Sequence, residues 1–164
     1  MNKRSTRLIA IAAAAAALPL TVLGATAAPA LAAGPNDSTP APVINLATRQ
    51  CLTAFSLFDP ARTAPCDTSG DLQPAQQWTF TDYGAISNPE TSGCLTPTGS
   101  GTVVVLPCGG GGSVQQWAPD PQNPRMIMNR VTGECLISDF GGRVGTAPCN
   151  GHPFQNWLWA NLPS

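Results

Sequence analysis

The stretches that decide the fold are Gln76-Gln77-Trp78, Gln115-Gln116-Trp117 and Gln155-Asn156-Trp157, three copies of one Gln-x-Trp phrase. Each copy follows a Cys-Leu step and then a second cysteine that closes a Pro-Cys pair. The first cysteines are 43 and 41 residues apart, the second cysteines 42 and 41, and the tryptophans 39 and 40. A period near forty residues that is kept by three separate landmarks predicts a repeat architecture with three units.

The first 32 residues have the features of a secretory signal peptide. A basic start, an alanine-rich apolar run and a small-x-small cleavage site follow one another at residues 3–7, 8–22 and 30–32. A membrane anchor is the alternative, but the apolar run is shorter than the roughly 20 residues of a spanning helix, and Pro19 and Pro29 interrupt the leader. We therefore predict a signal peptide over residues 1–32, no membrane span, and a secreted, extracellular protein.

The charge of the mature chain argues against nucleic acid as a partner. Three of the eight basic residues lie in the leader, which leaves five arginines against nine acids and a net charge of about −4. The arginines are scattered along the units, at Arg49, Arg62, Arg125, Arg130 and Arg143. Because phosphate backbones are bound by a stripe of basic residues, we predict neither nucleic acid nor another anionic polymer as the partner.

Six cysteines at matched positions of an exported chain predict a disulfide framework. If the three units fold alike, each closes its own bridge, which gives Cys51–Cys66, Cys94–Cys108 and Cys135–Cys149. Each loop would stabilise the fold by about 3 kcal/mol in the chain-entropy model. Zinc is the competing interpretation, but no two cysteines are close in sequence and there is one histidine, so we predict no metal site and no cofactor.

The pattern after the leader is typical of an all-β protein. Short apolar stretches alternate with Gly, Pro, Asn and Asp, without a helical period. Three units of about four short strands must hide their edges, and closing the sheet into a barrel does so. Trp78, Trp117 and Trp157 would then fill the core, each indole N–H needing a buried acceptor. The neighbouring glutamines can bond backbone groups, and residues 157–160 are expected to pair with residues 43–46.

These Cys-Leu, Pro-Cys and Gln-x-Trp elements, over residues 44–159, resemble the ricin B-chain-like lectin family. The resemblance implies a β-trefoil of three repeats with about twelve short strands and one disulfide per repeat. The polar, proline-rich stretch before it predicts a flexible N-terminal arm at 33–42. The trefoil domain follows at 43–164, with repeats of about 43–84, 85–125 and 126–160. Family members are sugar-binding modules of toxins, glycoside hydrolases and secreted lectins, so a non-catalytic carbohydrate-binding function is implied.

The sugar-contacting positions of the family are occupied by other residues here. Working sites carry an Asp directly after Cys-Leu, an aromatic residue two before the second cysteine, and often an Asn three before the Trp. The residues at these places are Thr53, Thr96 and Ile137, then Ala64, Leu106 and Ala147, then Ala75, Val114 and Phe154. Because a shallow sugar site needs a ring face and a fixed acceptor, galactose binding of the family's type is not expected.

A relocated site is predicted in the third unit, where an acid, an amide, the one histidine and two rings fall close together. Its predicted ligand-binding residues are Asp139, Phe140, Asn150, His152 and Gln155, with Phe154 beside them. The alternative is that the two phenylalanines belong to the core and His152 to a solvated loop. A second, poorer cluster lies in the first unit, at Thr53, Phe55, Phe58, Asp67 and Asp71.

Two functions follow from these residues, and neither is catalytic. A hydrolase needs a nucleophile with a base or a carboxylate pair, and the chain has neither Gly-x-Ser-x-Gly nor His-Glu-x-x-His. A carboxylate pair among the nine scattered acids is the one catalytic arrangement left open, and nothing in their spacing favours it. The first hypothesis is a secreted, monomeric module that binds a glycan or polysaccharide. The second is a trefoil that binds a protein partner, as an inhibitor, toxin subunit or surface component. A ring of Phe140, Phe154 or Tyr83 exposed beside an acid or amide would favour the first.

Overall fold

The computed structural model describes residues 39–67 and 73–159, and within them twelve strands and three short 3₁₀ helices form three similar units. The first unit contains β1 Ala41–Asn45, β2 Gln50–Thr53, β3 Arg62–Pro65, the helix Pro74–Gln76 and β4 Gln77–Phe80. The second contains β5 Ile86–Asn88, β6 Gly93–Pro97, β7 Val103–Pro107, the helix Gly112–Gln115 and β8 Trp117–Pro119. The third contains β9 Ile127–Asn129, β10 Glu134–Ser138, β11 Val144–Pro148, the helix Pro153–Gln155 and β12 Trp157–Trp159. None of the helices in this part of the chain has the length and apolarity to cross a bilayer.

Six of the strands, two from each unit, close into a ring. β1 pairs with both β12 and β4, β4 pairs with β5, and β8 pairs with β9, all antiparallel. Single bridges make the two remaining joins, Ala85 to Gln116 beside β5 and β8, and Met126 to Asn156 beside β9 and β12. The pairing predicted between the first and last strands is confirmed, with Val43 opposite Trp159. Closure removes the exposed edges that an open sheet of short strands would leave.

The other six strands form three antiparallel hairpins, β2–β3, β6–β7 and β10–β11. They are joined to one another by three single bridges: Pro60 to Val104, Thr102 to Gly145, and Arg143 to Arg62. Each bridge links the residue six places before the second cysteine of one unit to the residue four places before that of the next. The three units therefore meet in a closed cycle of equivalent contacts, which is the threefold relation that the repeat period predicts.

Close approach at this junction explains one glycine. A Cβ on Gly145 would lie 2.5 Å from the carbonyl oxygen of Gly101, closer than a real Cβ can come to backbone. A residue with a side chain would push the β10–β11 hairpin away from the second unit. Glycine is required there so that two backbones can touch.

The three tryptophans of the Gln-x-Trp phrases are buried in the core, as predicted. Each indole N–H donates to the carbonyl of the leucine after the first cysteine of its own unit. The distances are 2.9 Å from Trp78 to Leu52, 3.1 Å from Trp117 to Leu95 and 3.0 Å from Trp157 to Leu136. Because an unpaired buried N–H would oppose burial, these bonds allow the largest side chain of each unit to fill the interior.

The first glutamine of each phrase is buried and holds the Pro-Cys corner. Its amide N–H donates to the proline carbonyl before the second cysteine, in the pairs Gln76 to Pro65, Gln115 to Pro107 and Gln155 to Pro148. Its carbonyl accepts the backbone N–H just beyond the same cysteine, from Asp67, Gly109 and Asn150. The predicted disulfides are confirmed as Cys51–Cys66, Cys94–Cys108 and Cys135–Cys149.

Two boundaries of the predicted chain organisation need comment. The arm predicted over 33–42 is too long, since Ala41 and Pro42 pair with Trp78 and Gln77 as the start of β1. The signal peptide predicted over 1–32, and residues 33–38 of the arm, lie outside the described residues.

Candidate functional site

The turn between β10 and β11 is organised by Asp139. Its Oδ1 accepts the backbone N–H of Arg143 at 3.0 Å, and its Oδ2 accepts the Arg143 Nε–H at 2.8 Å. The backbone hydrogen bond from Arg143, followed by the bond from its side chain, lowers the pKa of the Asp139 carboxyl below its ordinary range. The carboxylate is thus already bonded on both oxygens, and its first role is to shape the turn that carries Phe140.

Phe140 stands on this turn with 76% of its surface exposed. Its ring meets the ring of Phe154 edge to face, with centroids 4.9 Å apart and planes at 88°. On Phe154 the ring of His152 is stacked, at 5.2 Å and 23°. These three residues, Phe140, His152 and Phe154, form a continuous surface that we call the third-unit aromatic patch. The alternative in which Phe140 is a core residue is wrong, whereas Phe154 is half-buried and supports the other two rings.

Polar groups border the patch. The Asn150 Oδ1 accepts the backbone N–H of His152 at 3.0 Å, while its Nδ2 makes no hydrogen bond within residues 39–67 and 73–159. The His152 Nδ1 accepts the backbone N–H of Phe154 at 3.4 Å and so caps the 3₁₀ helix. A neutral imidazole in this arrangement carries its proton on Nε2. The side chains of Asn150 and His152 are both exposed, and each has one donor nitrogen that is not used in the hydrogen bonds of the loop.

Gln155, predicted as a ligand contact, does not belong to this surface. It is fully buried, and both polar atoms of its amide bond backbone groups of its own unit. The sequence placed Gln155 beside Phe154 but could not show that the chain turns inward between them. Its role is that of Gln76 and Gln115, the equivalent residues in the other units.

In the first two units, the residues at the positions of the family's sugar-binding Asp are buried and cannot contact a ligand. Thr53 and Thr96 are buried, and their hydroxyls donate to the carbonyls of Cys51 and Cys94 at 3.0 Å. The same hydroxyls accept the amide N–H of the buried glutamine of their unit. At the third such position stands Ile137, a half-buried apolar residue. The hydrogen-bonding capacity of these places is therefore directed into the protein.

The poorer cluster of the first unit is split between surface and interior. Phe55 and Phe58 are 60% and 70% exposed, whereas Thr53 is buried and Asp71 lies outside the described residues. Phe58 has φ 70°, an uncommon conformation for a bulky residue, and its N–H donates to the Val105 carbonyl at 2.7 Å. Contact with β7 of the second unit thus holds this ring outward.

A cavity of about 410 Å³ lies where the three hairpins meet, and the sequence did not reveal it. Its lining includes Arg62 from the first unit, Thr102 from the second, and Ser138, Asp139 and Arg143 from the third. Arg62 and Arg143 are 81 residues apart in the sequence and meet only because the bridges close the cycle of units. The threefold repeat would have predicted the contact between Arg62 and Arg143 only if the register of the hairpins had been known.

One group of side chains has the composition of a metal site but not its chemistry. Asp120 lies within ligand distance of Cys135 and Cys149, yet those two sulfurs form a disulfide. The Asp120 Oδ1 accepts the backbone N–H groups of Gln122 and Asn123 at 2.9 Å. Because disulfide sulfur is not a thiolate ligand, this group is a turn packed against a bridge.

Comparison with known proteins gives one family and many structural neighbours. Residues 39–157 match the family described as the ricin-type beta-trefoil lectin domain. An agglutinin from Abrus precatorius is 18% identical, with TM-score 0.64, and the match covers 74% of this chain and 48% of the agglutinin. A Vibrio vulnificus hemolysin/cytolysin beta-trefoil lectin is also 18% identical, with TM-score 0.61 and coverage of 73% and 92%. A homologue of type II RIPs from Momordica charantia is 19% identical, with TM-score 0.60 and coverage of 73% and 48%.

Several of these neighbours are longer proteins. The chain spans about half the length of the agglutinin, and 23% and 33% of the structures of GalNAc-T7 and of the hemolytic lectin CEL-III. No curated protein sequence matches the chain. At these identities the likeness establishes the β-trefoil fold and nothing finer.

Proposed function

The chain belongs to the ricin-type β-trefoil lectin family, and from this premise we propose that it is a secreted, monomeric, non-catalytic module that binds glycans through the third-unit aromatic patch. The observation that carries the proposal is the Phe140 ring, exposed and held against Phe154 beside Asn150 and His152. A pyranose presents a face of C–H groups that packs on such a ring and hydroxyls that bond the donors around it.

The patch offers both parts of a shallow sugar site. Phe140 supplies the stacking face, and its contact with Phe154 restricts the ring before a ligand arrives, which lowers the entropy lost on binding. The Asn150 Nδ2 and the His152 Nε2–H can donate to hydroxyl oxygens of the sugar. The corresponding family positions in the first two units lack these parts, since Thr53 and Thr96 are buried and bonded inside the protein.

Catalysis is not part of the proposal. A glycosidase needs a general acid whose pKa is raised towards neutrality, whereas hydrogen bonds from Arg143 lower the pKa of Asp139. Export is supported by the basic and apolar leader over residues 1–32 and by three disulfides, which persist in oxidising compartments.

The first ligands to test are galactose-containing glycans. The Vibrio vulnificus lectin was solved with N-acetyl-D-lactosamine bound, and the Momordica charantia protein in complex with α-methyl-D-galactoside. Because this chain differs from the family at all nine sugar-contacting positions, insoluble plant and microbial cell-wall polysaccharides belong in the same screen.

The experiment is a glycan array with a polysaccharide pull-down, run on the oxidised chain from residue 33 and on its Phe140→Ala variant. Loss of one stacking ring should weaken binding about tenfold. Tyr83→Ala is the matched control, because Tyr83 is 62% exposed on the turn between β4 and β5, away from the patch residues in sequence, and its loss should leave binding unchanged. Equal binding by wild type and Phe140→Ala would reject the patch as the site.

A protein-binding role is the second candidate, and the exposed rings of Phe55 and Phe58 favour it. Large exposed apolar side chains can form a contact surface for another protein. If no glycan or polysaccharide is retained, the double variant Phe55→Ala/Phe58→Ala should lose a partner captured by the wild type from the medium. Retention of that partner by the double variant would remove this candidate.

A further inference from the structure

The junction cavity is a second site, separate from the third-unit aromatic patch in its lining and in its chemistry. Matching residues of all three units surround it, and its volume of about 410 Å³ lies within the range of roughly 300–1,000 Å³ that is usual for small-molecule sites. Three buried side chains at equivalent positions, Ala61, Val103 and Val144, pack into the core beneath this junction. The site therefore rests on rigid parts of the fold.

The threefold pattern of the junction is broken by charge. At the positions joined by the three bridges, the residues from the second unit are Thr102 and Val104, both uncharged. The first and third units instead bring Arg62 and Arg143 side by side. Two of the five arginines of the mature chain, which is otherwise acidic, thus stand at one cavity.

Both guanidinium groups have donors to spare. No ion pair or hydrogen bond of the described chain holds the side chain of Arg62, which is exposed. The side chain of Arg143 is 82% exposed and uses only its Nε on Asp139, so its two terminal nitrogens are available. Asp139 offsets one positive charge, and the second remains uncompensated at the cavity.

A buried hydroxyl lines the same cavity without a partner. Ser138 is 2% exposed, and its Oγ makes no hydrogen bond to the described residues. The equivalent residues three places after the first cysteine are Ala54 and Pro97, which have no polar side-chain atom. The Oγ has almost no accessible surface, so it lies behind the cavity wall as an unpaired buried hydroxyl and is not a contact for a ligand.

We propose that the junction cavity binds a sugar acid, one pyranose ring that carries a carboxylate. A carboxylate matches the fork of a guanidinium group in two parallel hydrogen bonds, which Arg62 and the free nitrogens of Arg143 can offer. The ring hydroxyls meet Thr102, and the apolar walls at Pro60 and Ile137 face its C–H groups. The cavity is larger than a simple inorganic anion needs, and the apolar walls would leave such an ion poorly solvated.

This site goes beyond the proposed function, because it selects a charged sugar and uses none of the three rings of the patch. The test is a titration of the ¹⁵N-labelled chain with D-galacturonate, and with neutral D-galactose as the matched probe. Galacturonate should shift the amide signals of Thr102, Ser138 and Gly145, and galactose should not. Equal shifts from both sugars, or none at these amides, would overturn the proposal.

Three variants sharpen the test. Arg62→Gln should weaken galacturonate binding about tenfold, as expected for the loss of charged hydrogen bonds. Arg125→Gln, which removes an exposed arginine outside the cavity, should bind like the wild type. Ser138→Ala should bind galacturonate like the wild type and leave the melting temperature of the free chain unchanged or higher, because it removes an unpaired buried hydroxyl that no ligand reaches. A lowered melting temperature would make Ser138 a structural residue instead.

These variants test the aromatic patch and the junction cavity independently of each other. Phe140→Ala should weaken retention on the glycan array about tenfold and leave the galacturonate shifts intact. Arg62→Gln should weaken galacturonate binding and leave retention on the glycan array unchanged. If Phe140→Ala also removes the galacturonate shifts, the acid binds at the aromatic patch and the cavity site is rejected.

Discussion

At the scale of single residues, three buried asparagines join the units, and their importance was not apparent in the sequence. Asn45, Asn88 and Asn129 end the first strand of each unit, and each amide N–H donates to a carbonyl at or beside the 3₁₀ helix of the preceding unit. Their Oδ1 atoms accept backbone N–H groups of the turn that follows. One side chain thus fixes both a turn and a contact between units.

Asn129→Ala should therefore destabilise the protein strongly. The variant leaves the Val114 carbonyl and the N–H groups of Val131 and Thr132 without their partner, so we expect a loss of about 3 kcal/mol in the free energy of unfolding. Denaturant unfolding at neutral pH measures it. Asn150→Ala is the control, because Asn150 is exposed and should cost no more than about 0.5 kcal/mol. Equal stability of the two variants would show that the asparagine contacts between units are dispensable.

The acid response of the β10–β11 turn depends on Asp139. Because its pKa in the folded chain lies below the ordinary value of 3.8, the ionised carboxylate stabilises the turn at every pH above that value. This contribution is lost only as pH falls through the lowered pKa of the folded state. NMR titration of the Asp139 carboxyl carbon should show a midpoint below 3.8, and in Arg143→Gln the midpoint should rise. An unchanged midpoint in that variant would mean that the Arg143 side chain does not lower the pKa of Asp139, and that the backbone N–H of residue 143 is the cause of the shift.

At the scale of elements, each unit is a strand, a hairpin and a strand tied by one disulfide. The bridge closes the hairpin over a separation of 14 or 15 residues, and the buried glutamine of the same unit bonds the backbone on both sides of the second cysteine. The strands are three to five residues long, so few of them could persist without these ties. The stable building block is therefore the whole unit and not the single strand.

Removal of one bridge should accordingly cost about 3 kcal/mol in the free energy of unfolding, whichever unit loses it. The three double variants, in which both cysteines of a pair become serine, have nearly equal loop lengths and should lose similar stability. Full reduction of the wild type should lower the melting temperature steeply. A melt that is unchanged in strong reductant would show that the hydrophobic core alone holds the fold.

At the scale of the whole molecule, the sequence predicted the repeat, the closed sheet, the three bridges and the buried tryptophans, because fixed spacings encode them. The predictions from the sequence were wrong or incomplete where contacts between distant parts of the chain determine the structure. Gln155 and Phe154 are neighbours in the chain, yet one is buried and the other reaches the surface. Arg62 and Arg143 meet only across the junction of units, and Ala41 belongs to a strand because β4 is there to pair with it.

The candidate site shows the same division. The residues of the third-unit aromatic patch were predicted as a group because they fall within one repeat. The sequence left open whether Phe140 was core or surface, since a phenylalanine after a strand fits either place and only the turn set by Asp139 decides it. The junction cavity could not be predicted, because every one of its walls comes from a different unit.

Glycan binding at the third-unit aromatic patch is tested most directly by an amide chemical-shift map of the chain with the neutral glycan that binds best on the array. We predict shifts concentrated at Phe140, Asn150, His152 and Phe154, with none at Thr53 or Thr96, and smaller shifts at the same glycan concentration in Phe140→Ala. Shifts centred on Thr53 or Thr96 would contradict the account, since they would place the sugar at the family's usual positions. The absence of shifts with any neutral glycan would contradict glycan binding at the third-unit aromatic patch.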